Sequence, residues 1–103
     1  MRYAVISDVH SNLEALHAVF NTIEKTVDYA LFLGDCIGYG PNPNECVAAI
    51  REKSRIMIAG NHDRAAVGMI STGNFNSYAR TAVIWTHNVL NDENRVFLQG
   101  IPL

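Results

Sequence analysis

Six residues with chemically capable side chains stand at the ends of three short apolar runs. Asp8 and His10 follow the run Tyr3–Ser7 (YAVIS). Asp35 follows Tyr29–Leu33 (YALFL) and a glycine. Asn61, His62 and Asp63 follow Arg55–Ala59 (RIMIA) and Gly60. Singly, each has an ordinary explanation: an Asp after a strand is usually a turn or cap residue, and an Asn there caps the next helix. Together they offer three carboxylates, two imidazoles and an amide. Mixed nitrogen and oxygen donors without thiolate suit Mn, Fe, Zn, Ni or Co better than Ca or an iron–sulfur cluster.

That chemistry requires the three run ends to meet. Each run has the length of a strand, and each is apolar throughout, the pattern of strands covered on both faces. Between them lie helical patterns. Leu13, Leu16, Phe20 and Ile23 recur at spacings of three and four, and Ser11 with Glu14 forms a candidate capping box at their start. Asn42 suits an N-cap with Pro43 in the first turn, and Cys46, Val47 and Ile50 would face inward. A third helix is expected from about Asn76 to Leu90, with Ala79, Val83, Ile84 and Leu90 inward, and a fourth strand at Arg95–Leu98. The order strand, helix, strand, helix, strand predicts an α/β fold with a parallel sheet. In such a sheet all strands end on one edge, where open α/β sheets place ligands. Asp8 and His10, two apart, would point the same way if extended. Gly34 and Gly60 would let the backbone turn sharply there.

Composition bounds the alternatives. The chain has 103 residues, enough for one small domain, with 49% apolar and 17% charged residues. A net charge of −2 gives no indication of nucleic-acid binding. The start, MRYAVISDVH, is neither a secretory signal nor a membrane span, and two cysteines make no disulfide scaffold. A reduced, cytoplasmic protein without membrane contact is expected. Cys36, His17 and His87 are further candidate ligands, for which packing or surface roles are the simpler reading. The loop DVHSN lacks the G-x-G-x-x-G of a dinucleotide binder.

The segments SDVHSNLEAL, GDCIGYGPNPNE and GNHD resemble the calcineurin-like metallophosphoesterases, specifically their small stand-alone bacterial and archaeal branch. The order D-x-H, G-D, G-N-H-D is specific; any one motif alone would be weak. FNSYARTAVIWTHNVLNDENRVFLQGIPL is similar to the following part of that branch, so the resemblance covers nearly the whole chain.

The resemblance implies that Asp8 and His10 bind one divalent metal, that Asp35 bridges to a second, and that Asn61 binds the second. His62 would act at the leaving group and Asp63 would orient His62. Two ions roughly 3.5–4 Å apart would generate hydroxide for in-line attack on a phosphate ester. The resemblance further implies an α/β/β/α sandwich, of which residues 1–103 would be a single, truncated domain: the parallel βαβαβ half. The family's later histidine motifs, H-G and G-H-x-H, are not among these residues. The chain is therefore expected to be an N-terminal portion, or to pair with itself or another chain across an open sheet edge. A non-catalytic α/β module holding one ion or a phosphate is the alternative, favoured by the short ligand set. The substrate stays open among phosphomonoesters, phosphodiesters, dinucleoside polyphosphates and phosphoproteins. Arg64 is the nearest candidate for a phosphate, although a solvated helix residue is the simpler reading.

Overall fold

The computed structural model describes residues 1–102. Three parallel strands lie in the order β1 (Tyr3–Ile6), β2 (Tyr29–Phe32), β3 (Ser54–Met57). β1 and β2 pair in register, Tyr3 with Tyr29 and Ile6 with Phe32, whereas β3 carries an irregularity opposite Ala30 and Leu31. Helices α1 (Leu13–Ile23) and α2 (Pro43–Lys53) connect the strands, and α3 (Asn61–Ala66), α4 (Ser77–Val89) and α5 (Asp92–Gln99) follow.

One core forms beneath the sheet. Phe32 and Ala30 from β2 pack with Leu16 and Phe20 of α1, Val47 and Ile50 of α2, Val83 of α4 and Leu98 of α5. The stripe read from α1 supplies Leu16 and Phe20, as its spacing requires.

The sheet is covered on one face, not two. Tyr3, Val5, Leu33 and Ile56 are exposed by 50, 62, 50 and 59%. Their apolar character reflects a face that nothing covers among the described residues, and β1 and β3 also leave two free edges.

The expected fourth strand at Arg95–Leu98 is helix α5 instead. Asn91 caps it, accepting from the Asn94 amide at 2.8 Å, and Asp92 and Glu93 stand in its first turn. Capping and acidic charge at the positive end of the helix dipole favour a helix there, and Asn94 and Leu98, four apart, are both buried. The start of α1 also differs. Asn12, not Ser11, is its N-cap, accepting from Ala15 N at 3.1 Å, and Ser11 is buried in a left-handed conformation with φ 60°.

Candidate metal centre and the family of the chain

The three strand ends do meet. The loops after β1 and β2 continue the ladder beyond the strands: Asp8 N donates to Gly34 O, His10 N to Asp35 O and Ser11 N to Cys36 O, at 2.9–3.0 Å. Asp8, His10 and Asp35 are not extended. Their φ angles are 59°, 49° and 58°, in the left-handed region that non-glycine residues seldom occupy. Such outliers gather where structure over-determines a site. The side chains converge through turn geometry rather than through the strand alternation expected of positions 8 and 10.

One donor atom from each of Asp8, His10 and Asp35 lies within 4.8 Å of the other two. His10 Nε2 is 3.4 Å from Asp8 Oδ1, and His10 Nδ1 is 3.1 Å from the carbonyl of Ile37. A carbonyl only accepts, so Nδ1 carries a proton there, which leaves Nε2, on the Asp8 side, as the nitrogen that can ligate a cation. This is the outer-shell arrangement that metal-ligating histidines use. The Ser7 hydroxyl donates to Asp8 and, as the main cause, holds its carboxyl below the usual range. Among the described residues no Lys or Arg pairs with Asp8 or Asp35. Two carboxylates without a Lys or Arg partner, beside an imidazole nitrogen, form a donor set that fits a divalent cation.

The third strand end closes the site. Asp35 Oδ1 accepts from the His62 amide at 3.0 Å, and Gly60 lies so near Asp35 that an added Cβ would stand 2.5 Å from Asp35 N. Asn61 is exposed at the first position of α3. His62 is buried, its ring centroid 4.8 Å from that of His10. Burial, and then the neighbouring His10, lower its pKa.

Asp63 is buried, and its oxygens face the loops rather than the His62 ring. Oδ2 accepts from Asp35 N at 2.8 Å and Gly60 N at 3.0 Å, and Oδ1 accepts from Ile37 N at 3.1 Å. One carboxylate thus joins the loop bearing Asp35 to the loop that ends at Gly60. Burial pushes its pKa up to about 6 against the pull of these three donors. The sequence reading gave Asp63 the task of orienting His62; the contact that exists is to three backbone amides.

The weaker candidates stand apart. Cys36 is buried in the core, and burial raises its thiol pKa well above normal. His17 is exposed on α1, and His87 Nδ1 lies 2.7 Å from Ala66 O. Arg64 lies within α3, and its Nε is buried without a partner. Tyr39 and Phe75 were not singled out from the sequence, yet their rings lie 5.0 and 4.9 Å from that of His62. An aromatic residue between two glycines, Gly38-Tyr39-Gly40, was the available signal for the first.

The calcineurin-like phosphoesterase family model matches residues 1–101. The chain belongs to that family. It is 50% identical over 101 residues to an uncharacterized protein of Methanocaldococcus jannaschii, covering 97% of this chain and 42% of that protein. The crystal structure of a metallophosphoesterase from Sphaerobacter thermophilus superposes with a TM-score of 0.83 at 45% identity, over 99% of this chain and 42% of the other. A solved candidate diadenosine tetraphosphatase, 16% identical, shares the fold with a TM-score of 0.76 over 98% of this chain and 43% of its own. This calcineurin-like chain therefore spans less than half the length of the proteins it matches. None of its described helices is long and apolar enough to cross a membrane.

Proposed function

We propose that the chain carries the N-terminal metal-binding portion of a metal-dependent phosphoesterase acting on phosphomonoesters or phosphodiesters. The convergence of Asp8, His10 and Asp35 within 4.8 Å, beside a buried His62, carries this reading. Asp8, His10, Asp35 and Asn61 would hold two divalent transition-metal ions, Mn among them, with Asp35 shared. When bound, the ions lower the pKa of water, supply hydroxide at neutral pH and offset charge on the phosphoryl oxygens.

The chain's own groups do the rest. Ile37 O fixes the His10 tautomer that leaves Nε2 free to ligate. The Ser7 hydroxyl lowers the pKa of Asp8, and the His62 amide orients Asp35 through Oδ1. His62 stands at the leaving-group side and donates a hydrogen bond or proton to the departing oxygen. Asp63 holds the two ligand loops in register. Four donor side chains are few for two ions, so full turnover would need donors from a longer chain or from a second copy. Either one would also cover the exposed apolar face; light scattering that showed a stable monomer in dilute solution would count against a second copy. The buried thiols of Cys36 and Cys46 fit a reducing, cytoplasmic location.

Hydrolysis of an aryl phosphodiester and an aryl phosphomonoester with Mn²⁺ tests this reading. Metal-dependent turnover should vanish in Asp35→Asn and fall about 10²–10⁴-fold in His62→Ala. Ion binding without turnover even where a longer chain or a second copy supplies the further donors would instead support a non-catalytic module holding a single ion, the reading that the small donor set favours.

A further inference from the structure

Among the described residues no polar group orients the buried ring of His62. Its Nδ1 is buried without a hydrogen-bond partner, and the Asp63 oxygens are turned elsewhere. Packing holds the ring instead. Phe75 lies 4.9 Å from it with the planes 31° apart, Tyr39 lies 5.0 Å away at 36°, and His10 meets it edge-on at 69°. Centroid separations of this size are those at which aromatic pairs attract beyond simple burial. Gly38 shuts a further side, because a Cβ there would stand 2.5 Å from His62 Nδ1.

Tyr39 is itself held under strain. Gly40 N donates to Gly38 O at 2.7 Å, closing a three-residue turn around Tyr39 at φ 59°. A positive-φ turn of this kind is rare, and a non-glycine residue at its centre is rarer still. Gly40 N also donates to His10 O at 2.9 Å, which ties the turn to the loop that bears His10. Tyr39 remains 51% exposed, so filling the core does not explain the strained position.

We infer that Tyr39 and Phe75 are positioning residues that form an aromatic seat for the His62 ring. This rests on the reading of His62 as the group at the leaving oxygen. A seat without hydrogen bonds fixes the plane of the imidazole while leaving its nitrogens uncommitted to protein acceptors.

The test is NMR of the His62 ring protons in this chain, without metal or substrate, at alkaline pH where the rings are neutral. His17, exposed on α1, is the internal reference. In the unaltered chain, the His62 ring protons should lie away from those of His17, displaced by the ring currents of Tyr39 and Phe75. Tyr39→Leu and Phe75→Leu should each remove part of that displacement, and the double variant most of it. Tyr39→Phe and Phe75→Tyr should preserve it. Unchanged His62 resonances in the double variant, with strand amide resonances in place, would overturn the seat. If the double variant does not fold, Tyr39→Leu alone decides, because Tyr39 is half exposed. Failure of the leaving-group reading of His62 appears separately, as full turnover in His62→Ala, and leaves the ring shifts as they are.

Discussion

Two side chains in this molecule do the same mechanical work in different surroundings. Asp63 joins the loops after β2 and β3 by accepting from three backbone amides. Asn44, on α2, joins that helix to the turn between α4 and α5. Its Oδ1 accepts from Asn91 N and Asn94 Nδ2, and its Nδ2 donates to Val89 O, all at 2.9 Å. Asn44 is neutral, partly buried and surrounded by regularly capped helices. Asp63 is a buried carboxyl among left-handed residues, one position from His62 and one loop from Asp35. A neutral amide suffices to fasten helices. The site edge uses a carboxylate, whose two acceptor oxygens can gather three N–H groups, and it tolerates the desolvation this brings.

Removing Asp63 should give the largest effect. Asp63→Ala would leave three amides without their acceptor and cost about 3 kcal/mol or more in urea unfolding. A loss below about 1 kcal/mol would mean that those amides find other acceptors. Gly60→Ala comes next. The new Cβ would press on Asp35, which should cost about 1–3 kcal/mol and weaken Mn²⁺ binding at the same time. Asn44→Ala should cost about 1–2 kcal/mol but leave Mn²⁺ affinity unchanged. Loss of ion binding there would erase the distinction between the two regions.

A pH slope also separates the two regions. The Asp63 pKa rises on folding from the ordinary value of 3.8 to about 6, so folding takes up a proton between those values. Its contribution to stability is fully present below about pH 4 and is lost as pH rises through about 6. Asp63→Ala should flatten that part of the stability–pH curve in metal-free buffer, whereas Asn44→Ala should keep it.

The ends of the strands were legible because apolar runs stop abruptly at Asp8, Asp35 and Gly60, and parallel topology then brings those ends together. The N-cap position of α2, Asn42 before Pro43, was legible from local chemistry, although its side chain bonds to Glu45 and not to a helix amide. Residues 95–98 misled because Val96-Phe97-Leu98 is short enough to read as a strand, and the deciding signals, Asn91 and the acidic first turn, lie just upstream. The apolar strands suggested two covered faces because residue type reports what a face is made for, not what covers it. Tyr39 and Phe75 were missed because their relation to His62 is tertiary: one sits on the loop after β2, the other between α3 and α4. The left-handed angles of Asp8, His10 and Asp35 also have no signature in residue type, beyond the tolerance that Asp and His have for them.

Calorimetric titration with Mn²⁺ tests most directly whether the strand ends form a metal centre. Ion binding by the unaltered chain and by Asn44→Ala, lost in Asp35→Asn, is the predicted result. No binding, or binding that Asp35→Asn leaves intact, would contradict it.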